Sequence, residues 1–178
     1  RTMAFDVNHL AWSAEILELA QLDVQRLSRL LPSGSALGEV PAPAAEALGL
    51  GHGVVAVIGG HDQPAGALGC GAVAEGISMD STGTVECIGV ASRRLVLDRN
   101  LLAGNLPVSP HTAPGMYMVM GYSATGGALL RWYRDTFGRA EQEEARGEGR
   151  NVYDLILQQA SPGPSPVLIL PHFVGSGT

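Results

Sequence analysis

Residues 57–88 read VIGGHDQPAGALGCGAVAEGISMDSTGTVECI, and the order of elements inside them decides the fold. The run Val54-Val55-Ala56-Val57-Ile58 leads into the segment. It is apolar, mostly β-branched and bounded by glycines, which predicts a strand buried on both faces. Gly59 and Gly60 then turn the chain, and residues 63–73 read as a helix built largely of Ala and Gly. Glycine inside a helix costs roughly 1 kcal/mol relative to alanine. A sequence that accepts several of them predicts a helix whose backbone lies close against another element. Two strands, 76–80 and 85–90, follow on either side of Ser81-Thr82-Gly83-Thr84, a hairpin signal.

Upstream, residues 10–31 carry apolar stripes at helical spacing (Ile16, Leu17, Leu19, Leu27, Leu30, Leu31) that end at Pro32. A break near Gln21-Leu22-Asp23 splits this helix, with Asp23 placed to cap the second piece. Residues 43–48 form a short helix closed by Gly49. Downstream, 116–121 reads as a strand, and Ser123-Ala124-Thr125-Gly126-Gly127 leads into a helix over 128–137. A further helix covers 151–160, and 167–170 reads as a strand closed by Pro171. The charged stretch 139–150 reads as a solvated loop or a fraying helix end. Strands and helices together make an α/β chain with no internal repeat of fixed period.

A length of 178 residues suits one ordinary domain or parts of two. Hydrophobic content of 46% with only 16% charge predicts a globular protein with a substantial core. The net charge of -6 argues against nucleic acid or an anionic membrane as partner, because no basic patch neutralises phosphates in bulk. A few phosphates held by backbone N–H groups and one or two arginines remain compatible with it. No run reaches the ~18 apolar residues of a membrane span, and no signal peptide is visible in a chain that opens on Arg1. Cys70 and Cys87 lack neighbouring ligands at metal spacing and read as buried free thiols of a reducing cytosol.

Asp62 has two readings. It caps the helix after it, or it stands at the mouth of a strand-end crevice and accepts a proton from a substrate hydroxyl. Gln63 is placed to hydrogen-bond neighbouring hydroxyls. His61 beside Asp62 suggests a metal dyad only if further ligands exist. His9, His52, His111 and His172 stand at no metal-ligand spacing, so no metal ligand is assigned. The Thr82-Gly83-Thr84 turn presents amides and hydroxyls to an anion. Gly126-Gly127 offer a bare helix start of the kind that takes phosphate, with Arg131 one turn further in. Arg131 reads equally as an exposed helix charge.

In that order (carboxylate, threonine-glycine loop, glycine-opened helix) the chain resembles the FGGY family of carbohydrate kinases, which includes xylulokinases, glycerol kinases and fuculokinases. VIGGHDQPAGALGCGAVAEGISMDSTGTVECI is similar to the region joining the family's two lobes, and GYSATGGALLRWYRD, residues 121–135, to the segment after it. WSAEILELAQLDVQRLSRLLPSGSALGEV, residues 12–40, and LILPHFVGSGT, residues 168–178, match the flanking segments, so the resemblance covers nearly the whole chain. It implies a ribonuclease-H-like fold of the actin and hexokinase type, closing on ATP with Mg2+ and a sugar or polyol. It makes Asp62 the general base, Gln63 and His61 substrate contacts, and Thr82, Gly83, Thr84, Gly127 and Arg131 nucleotide contacts.

The family's N-terminal Asp-x-Gly-Thr phosphate and magnesium motif does not occur in the sequence, nor does its late Gly-Gly adenosine motif. The resemblance therefore implies an internal stretch, with 1–75 ending the first lobe and 76–178 opening the second, inactive by itself. It further implies a cytoplasmic enzyme and allows a homodimer. Two other readings stay open from the residues. One is a non-catalytic actin-like protein that binds nucleotide or sugar without turnover; the other is a metal-dependent hydrolase built on His61 and Asp62.

Overall fold

The computed structural model describes residues 2–170 and Phe173. Strand β1 (Phe5–Asp6) pairs antiparallel with β2 (Ala11–Trp12). Helix α1 (Ala14–Leu19) starts at Ser13, whose hydroxyl accepts from the Ile16 amide at 3.3 Å. It ends where Gln21 takes a positive φ of 51°. The break expected near residues 21–23 is there, and Asp23 caps the second piece, accepting from the Gln25 amide. That piece is a single 3-10 turn, Val24–Arg26, and not a full helix. At the other end Leu10, also at φ 51°, keeps the first helix from starting before Ser13.

β3 (Ala36–Glu39) pairs antiparallel with β4 (Val55–Val57), and α2 (Ala42–Ala47) connects them. β4 corrects an expectation. It has one strand neighbour, in a two-stranded sheet, and Val55 and Val57 are exposed within the chain, so this strand is not buried on both faces.

α3 (Asp62–Gly69) ends four residues earlier than expected, because Gly71 takes φ +80° just beyond its C-cap, Cys70. Its small residues do lie against a neighbour. Ala67 and Ala72 form a buried cluster with Met118, flanked by Met79 and Met120, and a Cβ on Gly66 would stand 3.4 Å from Met79 Sδ. Gly69 meets nothing within 4 Å, so only part of the small-residue face is needed for close approach. Cys70 is exposed, against expectation, at the C-cap of α3, where its thiol donates to the Ala67 carbonyl at 3.4 Å; Cys87 is buried.

The main sheet has strand order β5-β6-β8-β7, from β5 (Ser78–Thr82), β6 (Glu86–Ser92), β7 (Val108–Pro110) and β8 (Tyr117–Ser123). β7 and β8 pair antiparallel, with Ser109 opposite Met118. Short α4 (Arg99–Ala103) lies between β6 and β7 in the chain. Three helices come after the sheet: α5 (Gly127–Thr136), α6 (Arg139–Glu148) and α7 (Val152–Gln158). The stretch read as a solvated loop is thus a ten-residue helix, closed by Gly149 at φ +66° and tied down by buried Ala145. Gln142 Nε2 donates to the Arg134 carbonyl at 2.8 Å, and Arg134 Nη1 to the Tyr153 hydroxyl at 3.1 Å, which joins the three helices. Residues 167–170 form no strand. All four side chains are exposed, and no neighbouring strand pairs with them among the described residues. The end of the expected downstream loop, including His172 and residues 174–178, lies outside the described residues.

The chain divides into two compact units. One comprises the chain up to Met79 with Gly89–Met120; the other comprises Asp80–Ile88 and the chain from Gly121 onward. The core of the first centres on Met118, which is 0% exposed. A Cβ on Gly89 would fall 1.7 Å from Met118 Cε, so Gly89→Ala forces that buried thioether to repack. The substitution is expected to lower stability by about 1–3 kcal/mol, read as a lower thermal midpoint. Combining it with Met118→Val, which removes Cε, is expected to recover part of the loss.

Candidate active site

In the first unit the approach to Asp62 is set by a glycine. A Cβ on Gly60 would meet Thr112 Cγ2 at 2.3 Å and Ser33 Oγ at 3.3 Å, whereas Gly59 has nothing within 4 Å. Thr112 is itself fixed, since its hydroxyl donates to the Pro64 carbonyl in the first turn of α3 at 2.7 Å. The chain from β4 into α3 therefore passes under Thr112 at a point where only hydrogen fits.

His61 takes the N-cap position, with extended backbone (φ −61°, ψ 141°) and no capping hydrogen bond from its side chain. Asp62 is the first helical residue, so the capping reading of Asp62 is displaced by one position. Its side chain is 76% exposed. Oδ1 accepts from the Gln63 amide at 2.9 Å and lies 3.1 Å from His61 Nε2. Gln63 Oε1 is buried with no hydrogen-bond partner among the described residues.

His61 also borders a cavity of about 290 Å3 whose wall includes Leu10, Leu30, Pro64, His111 and Met116. His111 entered the sequence reading only as a histidine without metal spacing. Here it is 6% exposed, and its Nδ1 accepts from the Ala113 amide at 2.8 Å, which places the proton of the neutral ring on Nε2. Its position, five residues before a hydrophobic strand in a Pro-rich turn, carried no signal of this. No group of three or more His, Cys, Asp or Glu able to hold a metal occurs among the described residues, so His61 and Asp62 gain no third ligand there.

The second unit holds the other candidates. Thr82 ends β5, and Gly83 and Thr84 form the turn into β6, all three exposed. This turn is bound to the start of α5 by backbone alone. The Gly127 amide donates to the Gly83 carbonyl at 2.7 Å, and the Gly126 amide to the Thr84 carbonyl at 3.0 Å. Neither glycine admits a side chain: a Cβ on Gly127 would stand 2.8 Å from Gly83 O, and one on Gly126 2.8 Å from the Val85 carbonyl carbon. The two amides that the sequence offers as a bare helix start are thus engaged in shaping the turn.

Sequence reading missed Glu86, which accepts the Thr82 hydroxyl at 2.7 Å. The signal was an acidic residue four positions after Thr82, on the same strand pair. Arg131 is exposed on α5. Asp135 has its carboxyl held below the usual carboxylate range, first by hydrogen bonding from Arg134 and to a lesser degree by the charge of Arg131. The structure therefore groups His61, Asp62 and Gln63 at one helix start, and Thr82, Gly83, Thr84 and Gly127 around one turn. Arg131 stands one turn along α5 from Gly127.

Comparison with known proteins gives a consistent picture. The model for the FGGY family of carbohydrate kinases, N-terminal domain, matches residues 1–69, and that for the C-terminal domain matches residues 79–178. An autoinducer-2 kinase from Yersinia pestis (strain Pestoides F) is 34% identical over 154 residues, which make up 86% of this chain and 28% of that protein. The chain spans less than a third of the length of that relative. A xylulose kinase from Rhodospirillum rubrum superposes with a TM-score of 0.78 at 26% identity, over 97% of this chain and 34% of that one. A gluconate kinase from Lactobacillus acidophilus gives 0.79 at 18% identity, over 97% and 33%. The expected ribonuclease-H-like α/β fold of the actin and hexokinase type is borne out.

The Gly60 constraint is directly testable by thermal denaturation. Gly59→Ala is expected to be close to neutral, whereas Gly60→Ala should lower stability by about 1–3 kcal/mol through overpacking. Thr112→Ser, which removes Cγ2 and keeps the hydroxyl bonded to Pro64, should restore much of that loss in the double variant.

Proposed function

Since this chain belongs to the FGGY family of carbohydrate kinases, we propose that the full-length protein phosphorylates a hydroxyl of a sugar or polyol at the expense of ATP. The observation that carries the reading is the Asp62 carboxylate. It stands exposed at a helix start, anchored through one oxygen, with the other open to a substrate hydroxyl. The relatives named above act on autoinducer-2, xylulose and gluconate by name. We assign the same class of acceptor here, a small oxygen-rich molecule.

Asp62 is the general base. Its carboxylate receives the hydroxyl proton while the acceptor oxygen attacks phosphorus, and most of the acceleration comes from positioning and charge stabilisation. Bound ATP supplies the phosphoryl group, with Mg2+ neutralising its charge. The residues present fit a phosphate chain: Thr84 and Gly83 are exposed on a turn whose backbone is bonded to the start of α5, and a Cβ on Gly83 would meet nothing closer than the Val85 carbonyl oxygen at 3.7 Å. Thr82 is assigned to the same loop, and in the structure its hydroxyl donates to Glu86. Gln63 and His61 border the acceptor, Gly127 shapes the turn, and Arg131 reaches toward the nucleotide.

We read residues 1–75 as the end of the first lobe and 76–178 as the start of the second, and expect the 178-residue chain alone to be inactive. The free, exposed Cys70 agrees with a reducing, cytoplasmic setting.

In the full-length protein, Asp62→Asn is expected to abolish ADP release across a panel of ketoses, sugar acids and polyols while leaving ATP binding by calorimetry intact. Retention of more than a few per cent of turnover refutes the base. Nucleotide binding by the parent protein with no turnover on any acceptor would favour a non-catalytic, actin-like binder.

A further inference from the structure

Two contacts to the Asp62 carboxylate converge on one oxygen. The Gln63 amide donates to Oδ1 at 2.9 Å, and His61 Nε2 stands 3.1 Å from that same atom. Oδ2 has no hydrogen-bond or ion-pair partner among the described residues, and the side chain is 76% exposed. An exposed carboxylate rotates freely about its last torsion and presents either oxygen to an incoming proton. Two groups on one oxygen remove that freedom.

We infer that His61 is a positioning residue for Asp62: together with the Gln63 amide it fixes Oδ1, so that Oδ2 is the oxygen that takes the proton of the acceptor hydroxyl. The inference rests on the phosphoryl-transfer reading above. In the step it describes, the acceptor O–H bond breaks and its proton passes to Oδ2. The freed electron pair forms the new O–P bond, and the bond between phosphorus and the ADP oxygen breaks. The proton then leaves Oδ2 for solvent across the exposed face of the carboxylate.

The sequence reading gave His61 a substrate contact. Its approach to the carboxylate suggests a second task beside that one, with Nε2 3.1 Å from Oδ1 and the side chain only 35% exposed. A neutral ring with its proton on Nε2 offers Oδ1 a donor, and a protonated ring adds a positive charge. The other titratable groups lining the same cavity are His111 and Tyr117, and Asp62 is the acidic group beside the ring. His111 is engaged by the Ala113 amide.

The test compares His61→Ala, His61→Gln and Asp62→Asn in the full-length protein, reading kcat, both KM values and the pH profile of kcat. His61→Ala should lower kcat about ten- to a hundredfold, as expected for a misplaced reacting group, with the KM for ATP unchanged. His61→Gln keeps a side-chain donor without an ionisable ring. It should recover much of kcat, a rescue that follows from a restored donor to Oδ1. An unchanged kcat and profile in His61→Ala, or a change confined to the acceptor KM, overturns the inference. Should His61→Ala not fold, as judged by circular dichroism, the Gln variant decides alone, and a folded Gln variant whose kcat stays tenfold or more below the parent overturns it. If Asp62→Asn is inactive while both His61 variants behave as the parent, only the positioning role fails. If Asp62→Asn retains turnover, the base itself is wrong.

Discussion

Two backbone hydrogen bonds, from Gly127 to Gly83 and from Gly126 to Thr84, hold the threonine-glycine turn against the start of α5. The candidate phosphate loop depends on them, and they depend on the absence of two methyl groups. With a Cβ at either glycine, contact with backbone atoms at 2.8 Å would push the helix away from the turn. Backbone cannot yield as a side-chain tip does, so the constraint is stiff. The turn is thereby held before any ligand arrives, which is the condition for electrostatic stabilisation without reorganisation.

The start of α3 is built by similar means from different atoms. Gly60 passes beneath Thr112, whose hydroxyl is tied to the Pro64 carbonyl in the first turn of that helix. The chain direction into the helix is fixed within one or two residues of Asp62, and a carboxylate at the first helical position emerges outward. In each unit a glycine lets backbone approach closely at the candidate site: Gly60 two residues before Asp62, and Gly126 and Gly127 against the turn that carries Thr82 and Thr84.

Much of this was legible in residues 57–88. The glycine pair, the small-residue helix and the Ser-Thr-Gly-Thr turn carry local geometry in their residue types, and the structure has all three, with the helix stopping at Gly69 rather than residue 73. Burial was less legible. Residues 54–58 have the composition of a fully covered strand, yet within this chain β4 has one strand neighbour and exposed valines. Composition reports what a strand is suited to, and coverage depends on partners distant in sequence. The ten-residue α6 was hidden for the opposite reason. Its charged face reads as solvated, and the few groups that anchor it, Ala145 and the Gln142 amide on Arg134, give no periodic apolar signal. The hydrogen bond between Thr82 and Glu86 went unread although the four-residue spacing across the turn carried a signal for it.

The charge distribution bears on the kind of phosphate site proposed for this turn. With a net charge of -6 and an acidic residue, Glu86, bonded to Thr82, the turn has no surplus of fixed positive charge. Arg131 shares its field with Asp135. Attraction for a phosphate must then come from oriented amides and hydroxyls at short range, not from a long-range basic field. Dipoles of this kind act only on groups in contact, where screening by salt is weak. A site so made would recognise the placement of a phosphate chain rather than negative charge in general. That suits the proposed reading of Asp62 as well, in which one anchored oxygen would leave the other directed toward a hydroxyl. Both halves of the chemistry then rest on geometry that glycine makes available.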